Sequence, residues 1–202
     1  MKALLQAIAD IVRPEFRQDG VIRLEETDPT SKCKPVTLNK SGPALVLKLD
    51  GLPPPLCTAP GCQLRYSVND RLFPLFRRDA AGLTALCDYL VFYPEKSEEA
   101  SRLFVFLCEL KSDNVGTAKK QAENGRLLAD HIVSMARHHH RLTEVPALQM
   151  RGLIFSPSLP VPKIPRPTQD KCQYVSFSKG MQDMGFAYCR DDASYPLAYF
   201  CA

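Results

Sequence analysis

CDYLVFYPEKSEEASRLFVFLCELK, residues 87 to 111, holds two apolar runs, each meeting charge at one end. The second, LFVFLCELK from 103 to 111, is apolar without interruption until its last residues. Such a run reads as a strand buried on both faces that opens into a site. Side chains alternate along a strand, so Glu109 and Lys111 share one face while Cys108 and Leu110 take the other. Asp88 opens the first run. Pairing the two runs as neighbours brings its carboxylate beside that of Glu109. An isolated charge at a buried strand end is strongly unfavourable unless it is paired or coordinated, so the three charges make sense chiefly together.

The residue types suit phosphodiester chemistry. Mg²⁺ is a hard ion that takes oxygen ligands, keeps several waters and is held by one or two carboxylates plus substrate phosphates. Asp88 and Glu109 are its candidate ligands, with the Leu110 backbone carbonyl as a third donor, and Mn²⁺ can replace it. Lys111, two residues beyond the second carboxylate, is placed to orient an attacking water and offset charge on the phosphate while the metal acts as Lewis acid. The alternative for this trio is a solvated strand end with a surface ion pair.

These residues resemble the PD-(D/E)XK, or restriction-endonuclease-like, nuclease superfamily, in which an aspartate on one strand faces (D/E)-x-K on the next. Asp88 matches the first element; Glu109, Leu110 and Lys111 match the second, over roughly residues 85 to 135. The family often carries a glutamine on the following helix, where Gln121 stands here, and Cys87 replaces the proline as in small bacterial members that read CD. The resemblance implies a restriction-endonuclease-like α/β core with a central mixed sheet flanked by helices. It also implies cleavage of DNA, and an ATPase or other sensor as partner in a bacterial anti-phage system. Related small proteins often show an aspartate-glycine before the CD strand, which makes Asp50 a further candidate ligand; Glu25 and Glu26 on the preceding strand are equal alternatives.

Beyond Lys111 the pattern is helical. Ala118, Gln121, Gly125, Leu128, Ile132 and Met135 recur along one face, and Asp113 or Asn114 can cap the start. Gln121 then faces the sheet, as a site residue or as a satisfied polar group at a helix–sheet seam. Lys119 and Lys120 near the helix start are candidate phosphate contacts. Arg65, Arg71, Arg77 and Arg78, and the run from Arg137 to Arg141, can line a groove, although solvated faces explain most such clusters.

The remaining sequence bounds the reading. A chain of 202 residues with 45% hydrophobic content supports one domain, with a core at about 15–157, a proline-rich arm at 156–169 carrying Lys163 and Arg166, and C-terminal strands in 170–202. Strands are expected in GVIRLEE, PALVLKLDG and MRGLIFSP, and a terminal pair, a candidate hairpin, in CQYVSFS and MGFAYCR, with the apolar end PLAYFCA packed. A net charge of +4 is compatible with nucleic acid without arguing for it. MKALLQAIADIV is an amphipathic helix, too short and too interrupted for a signal peptide or membrane span, so a cytoplasmic protein with reduced thiols is expected. Cys87 and Cys108 read as small buried hydrophobes. Cys57 and Cys62 make half of a zinc site with no clear second half, and His138, His139 and His140 read as a solvated helix end before they read as a metal triplet. No P-loop or dinucleotide-binding glycine motif is present. A nuclease of this type lacks its own specificity element, so targeting falls to a protein partner, a homo-oligomer or a nucleic-acid structure. RNA cleavage and a catalytically silent, nuclease-like interaction subunit are the alternatives.

Overall fold

The structure, a computed structural model, describes residues 1–49, 85–95, 102–112, 115–144, 146–157, 172–175 and 184–201. Asp50, Cys57, Cys62, Arg65, Arg71, Arg77, Arg78, Asp113, Asn114, Lys163 and Arg166 lie outside these residues.

Helix α1 (Lys2–Ile11) is followed by strands β1 (Arg17–Gln18), β2 (Ile22–Leu24), β3 (Val36–Asn39), β4 (Leu45–Lys48), β5 (Tyr89–Glu95) and β6 (Arg102–Leu110). Helix α2 (Ala118–His139) leads to β7 (Ala147–Phe155), β8 (Gly185–Cys189) and β9 (Ser194–Pro196). The main sheet runs in the order β1-β4-β5-β6-β7-β8. It is mixed: β1, β4, β5 and β6 pair antiparallel, while β6, β7 and β8 are parallel. A parallel neighbour needs a long crossover, and α2 supplies the one between β6 and β7.

The continuous apolar run of β6 has the expected cause, since both sheet faces are covered. Leu103, Val105 and Leu107 pack with Leu4 and Ile8 of α1 and with Ala118, Ala129 and Val133 of α2. Phe104, Phe106, Cys108 and Leu110 face the other way, onto Ile22, Leu24, Val36 and Leu38. Those residues belong to a second sheet, β2-β3-β9, in which β3 and β9 are parallel. Both described α-helices thus lie on one face of the central sheet and a small sheet lies on the other.

Several expectations need correction. Among the described residues, GVIRLEE and PALVLKLDG contribute Ile22–Leu24 and Leu45–Lys48 as strand, and β3 arises from the short stretch after Pro35 that carried too little periodicity to mark it. Helix α2 begins at Ala118 with Thr117 as N-cap and no side-chain cap bond, after a 3₁₀ turn at Val115–Thr117. Its buried face is built on Ala118, Ala122, Gly125, Leu128, Ala129, Val133 and Ala136, which keeps Ala118, Gly125 and Leu128 of the expected set, while Met135 is exposed. Small residues won because the helix lies close to the sheet: a Cβ on Gly125 would stand 2.5 Å from Cys87 Sγ. At the C-terminal end, β8 pairs parallel with β7, and Val175 of CQYVSFS meets Phe186 of MGFAYCR in an antiparallel bridge, the sense a hairpin pairing of those two stretches requires; residues 176–183 between them lie outside the described residues. The chain end does pack, with Leu197 and Phe200 fully buried.

Candidate active site

Register positions the acidic pair. β5 and β6 pair from Glu95↔Arg102 to Tyr89↔Cys108, so one further step sets Asp88 opposite Glu109. Cross-strand neighbours of this kind stand within side-chain contact on one face. That face is the helix-covered one, continuing Leu103, Val105 and Leu107. Both carboxylates are buried, Asp88 at 8% exposure and Glu109 at 0%.

Their surroundings differ. Asp88 Oδ2 accepts a 2.7 Å hydrogen bond from the Leu110 amide, and the Asp88 carbonyl accepts one of 2.7 Å from the Leu49 amide. Leu110 thus meets Asp88 through its backbone while its side chain fills the opposite core. Glu109 is held by charge: Lys111 Nζ lies 2.5 Å from Oε1. By strict hydrogen-bond geometry neither Glu109 oxygen has an aligned donor among the described residues, although the Lys111 ammonium and the Asp88 backbone both favour its charged form. Burial pushes the Glu109 carboxyl up to about 7, against the pull of Lys111, and the nearby charge of Glu26 adds to the rise.

That influence separates the two glutamates left open by the sequence. Glu25 is exposed and paired with Arg23, whereas the Glu26 charge reaches both Glu109 and the Cys33 thiol. Tyr89, buried in β5, sets this arrangement: its hydroxyl accepts from the Glu25 amide and donates to the Glu25 carbonyl, both at 2.9 Å. The chain from residue 25 to 34 then runs as a strap over the site end of the sheet. Ser31 Oγ and the Lys32 amide each lie 2.8 Å from Ser112 Oγ, Cys33 Sγ lies 3.7 Å from the Phe155 carbonyl, and the Lys34 amide donates to Asp191 at 2.7 Å. Burial and the charges of Asp191 and Glu26 push the Cys33 thiol up to about 12, so it stands as a neutral lining group.

Helix α2 supports the site from the other side. Gln121 Nε2 donates to the Leu86 carbonyl at 3.1 Å and Asn124 Nδ2 to the Ala85 carbonyl at 2.7 Å, fixing the segment that enters Asp88. Gln121 thus makes the helix–sheet seam contact through its amide nitrogen. Lys119 is half-buried and Lys120 exposed on the first turn of α2. At the far end of that helix, His138, His139 and His140 are exposed, with His140 Nε2 3.8 Å from Asp10 Oδ2. Cys87 and Cys108 are buried as expected, and burial raises both thiols well above their ordinary range.

Among the described residues, no three His, Cys, Asp or Glu side chains stand together as a metal-holding group. Two carboxylates are what Mg²⁺ ordinarily receives from a protein, the rest being water and phosphate oxygens, and the buried Glu109 oxygens without aligned donors are the kind of atoms a hard cation satisfies. The residues therefore fit such an ion. Asn124, Tyr89 and Ser112 escaped the sequence reading. Tyr89 alone carried a signal, since a tyrosine in a doubly buried strand must find a partner for its hydroxyl.

No family model matches this chain, and no curated protein or solved structure matches it. No helix among the described residues is long and apolar enough to cross a membrane.

Proposed function

We propose that this chain is a metal-dependent nuclease that hydrolyses phosphodiester bonds in DNA, on a restriction-endonuclease-like core. One observation carries the reading: Asp88 stands opposite Glu109 at a buried strand end, with the Lys111 ammonium 2.5 Å from the second carboxylate. Asp88 and Glu109 would hold Mg²⁺ or Mn²⁺, which supplies Lewis-acid activation of phosphate and water. Asp88 is oriented for this by the Leu110 amide. Lys111, its side chain only partly exposed, bridges the buried carboxylate and solvent, where a substrate phosphate and attacking water would arrive. Glu26 adds negative charge beside the pair, and the Gln121 and Asn124 amides hold the strand entry in place. Lys119 and Lys120 are the described candidates for backbone phosphates. A protein partner such as an ATPase or sensor in a bacterial anti-phage system would supply targeting.

A second reading, a silent nuclease-like interaction subunit, is favoured by the ion pair itself, because Lys111 already compensates Glu109. Purified protein incubated with plasmid, linear and single-stranded DNA and with RNA separates the readings. Ca²⁺ is larger and more tolerant in geometry than Mg²⁺, so substrate should be retained in Ca²⁺, cut in Mg²⁺ or Mn²⁺ and left intact in EDTA. Asp88→Asn and Glu109→Gln should abolish cutting. Cleavage that survives either variant refutes the site; cleavage of RNA alone reassigns the substrate; no cleavage with any ion supports the silent subunit.

A further inference from the structure

We infer that Arg190 is a phosphate-binding residue, the outer cation of a row Lys111, Ser156 and Arg190 along which one DNA strand crosses the ends of β6, β7 and β8. The inference rests on the proposed nuclease site and extends it along the substrate. Register assembles the row. β6 and β7 pair as far as Leu110↔Phe155, and the Lys111 amide then donates to the Phe155 carbonyl at 2.9 Å, which sets Lys111 beside Ser156. β7 and β8 pair as far as Phe155↔Cys189, and the Ser156 amide donates to the Cys189 carbonyl at 3.1 Å, which sets Ser156 beside Arg190.

The three residues share one face. Ile154, Phe186 and Tyr188 pack in the helix-covered core, Phe155 and Cys189 in the other. Alternation therefore returns Ser156 and Arg190 to the face of Glu109 and Lys111. Ligands of open α/β sheets bind outside the carboxyl ends of the strands, and this row lies at that end. Arg190 has a fixed base and an exposed head. Its carbonyl accepts from the Tyr195 hydroxyl at 3.1 Å, and the buried carboxylate of Asp191 accepts from the Lys34 amide at 2.7 Å. Asp192, the other neighbouring acid, is paired with Lys34 Nζ at 3.3 Å. The exposed Arg190 guanidinium has no hydrogen-bond or ion-pair partner among the described residues, whereas Lys111 is engaged with Glu109. Buried Ser156 spaces the two cations. Two strand spacings come to about 10 Å, the axial length over which one DNA strand carries about three phosphates. A single small anion does not span that row; a phosphodiester strand with its reacting phosphate at Lys111 does.

Retention of a fluorescein-labelled DNA duplex in Ca²⁺, followed by anisotropy over a range of salt concentrations, tests the row. Arg190→Ala should weaken binding about fivefold and lower the slope of log affinity against log salt by about one. Arg190→Lys should keep most of both, since it keeps the charge. In Mg²⁺ the Arg190→Ala effect should fall on KM rather than kcat, because a phosphate away from the reacting bond is held equally in the ground and transition states. An unchanged salt slope in Arg190→Ala, equal losses in Arg190→Ala and Arg190→Lys, or a loss confined to kcat would overturn the assignment. The expected binding losses in a protein that never cuts would keep the row and remove the catalysis. Cutting that is indifferent to Arg190→Ala would keep the metal site and remove the row, and a wild type that retains no DNA would remove both.

Discussion

Asp88 and Glu109 look equivalent in a motif and are opposite in energetics. Asp88 is integrated into the backbone, so Asp88→Ala strands the buried Leu110 amide and should destabilise the protein by about 1–3 kcal/mol as well as ending cleavage. Asp88→Asn keeps an acceptor there and should lose activity with a smaller change in stability. Glu109 is the reverse case. Its carboxyl titrates near 7 in the folded protein against an ordinary 4.5, so between those values the folded state holds a proton that the unfolded chain has released. The contribution is fully present below about 4.5 and is lost as pH rises through about 7. Metal-free Glu109→Gln should therefore match wild type at pH 4 and exceed it at pH 8 by on the order of 3 kcal/mol in denaturant unfolding. Equal stabilities at pH 8 would show that Glu109 is not a strained buried anion. Lys111→Met keeps the apolar stem and removes the charge. It should lower turnover far more than substrate affinity, since an interaction made mainly in the transition state acts on rate, and it should steepen the pH dependence of stability by leaving Glu109 uncompensated. Equal losses in rate and affinity would make Lys111 a phosphate clamp.

Helix α2 shows what periodicity conveys and what it leaves out. The apolar pattern announced a helix after Lys111 and set Gly125 on its inner face, but Met135 was assigned there too because hydrophobic character alone cannot rank a methionine below an alanine. The deciding quantity is separation from the sheet. Small side chains dominate where the helix approaches β5 and β6, and at Gly125 a would-be Cβ stands 2.5 Å from Cys87 Sγ and 3.3 Å from Leu107 Cδ2. Gly125→Ala should therefore destabilise by about 1–3 kcal/mol through overpacking, despite alanine's better helix propensity. Adding Cys87→Ala should recover much of that loss, a coupling that a double-mutant cycle in urea would measure; additive effects would place the strain elsewhere. The strands of the site were legible for the converse reason: β5 and β6 are sandwiched between two layers, so burial on both faces wrote itself as uninterrupted apolar sequence. β3 and β9 are too short to do so, and the contacts of Tyr89 and Asn124 are made with backbone groups, which no side-chain pattern records.

Across the whole molecule, the strap from 25 to 34 is fastened in the order of the sheet: to Tyr89 on β5, to Ser112 after β6, to Phe155 at the end of β7 and to Asp191 after β8. Tyr89→Phe removes the first fastening while keeping the ring. It should lower stability by about 1–2 kcal/mol, and by letting Glu26 withdraw it should lower the pH at which Glu109 titrates. A Glu109 transition unchanged in that variant, followed by NMR, would mean that Glu26 is held by other contacts. The fastenings also carry a sense of time. They span 64, 81, 122 and 157 residues of chain, each longer than the last. Closing loops of that length is entropically unfavourable until the intervening sheet exists. As the chain leaves the ribosome, the carboxylates at 88 and 109 emerge long before the last anchor at 191, so the strap is drawn shut only near the end of synthesis. Until then a nascent chain would leave the site end of its sheet without the strap, whose closure would be the last step of the fold to mature.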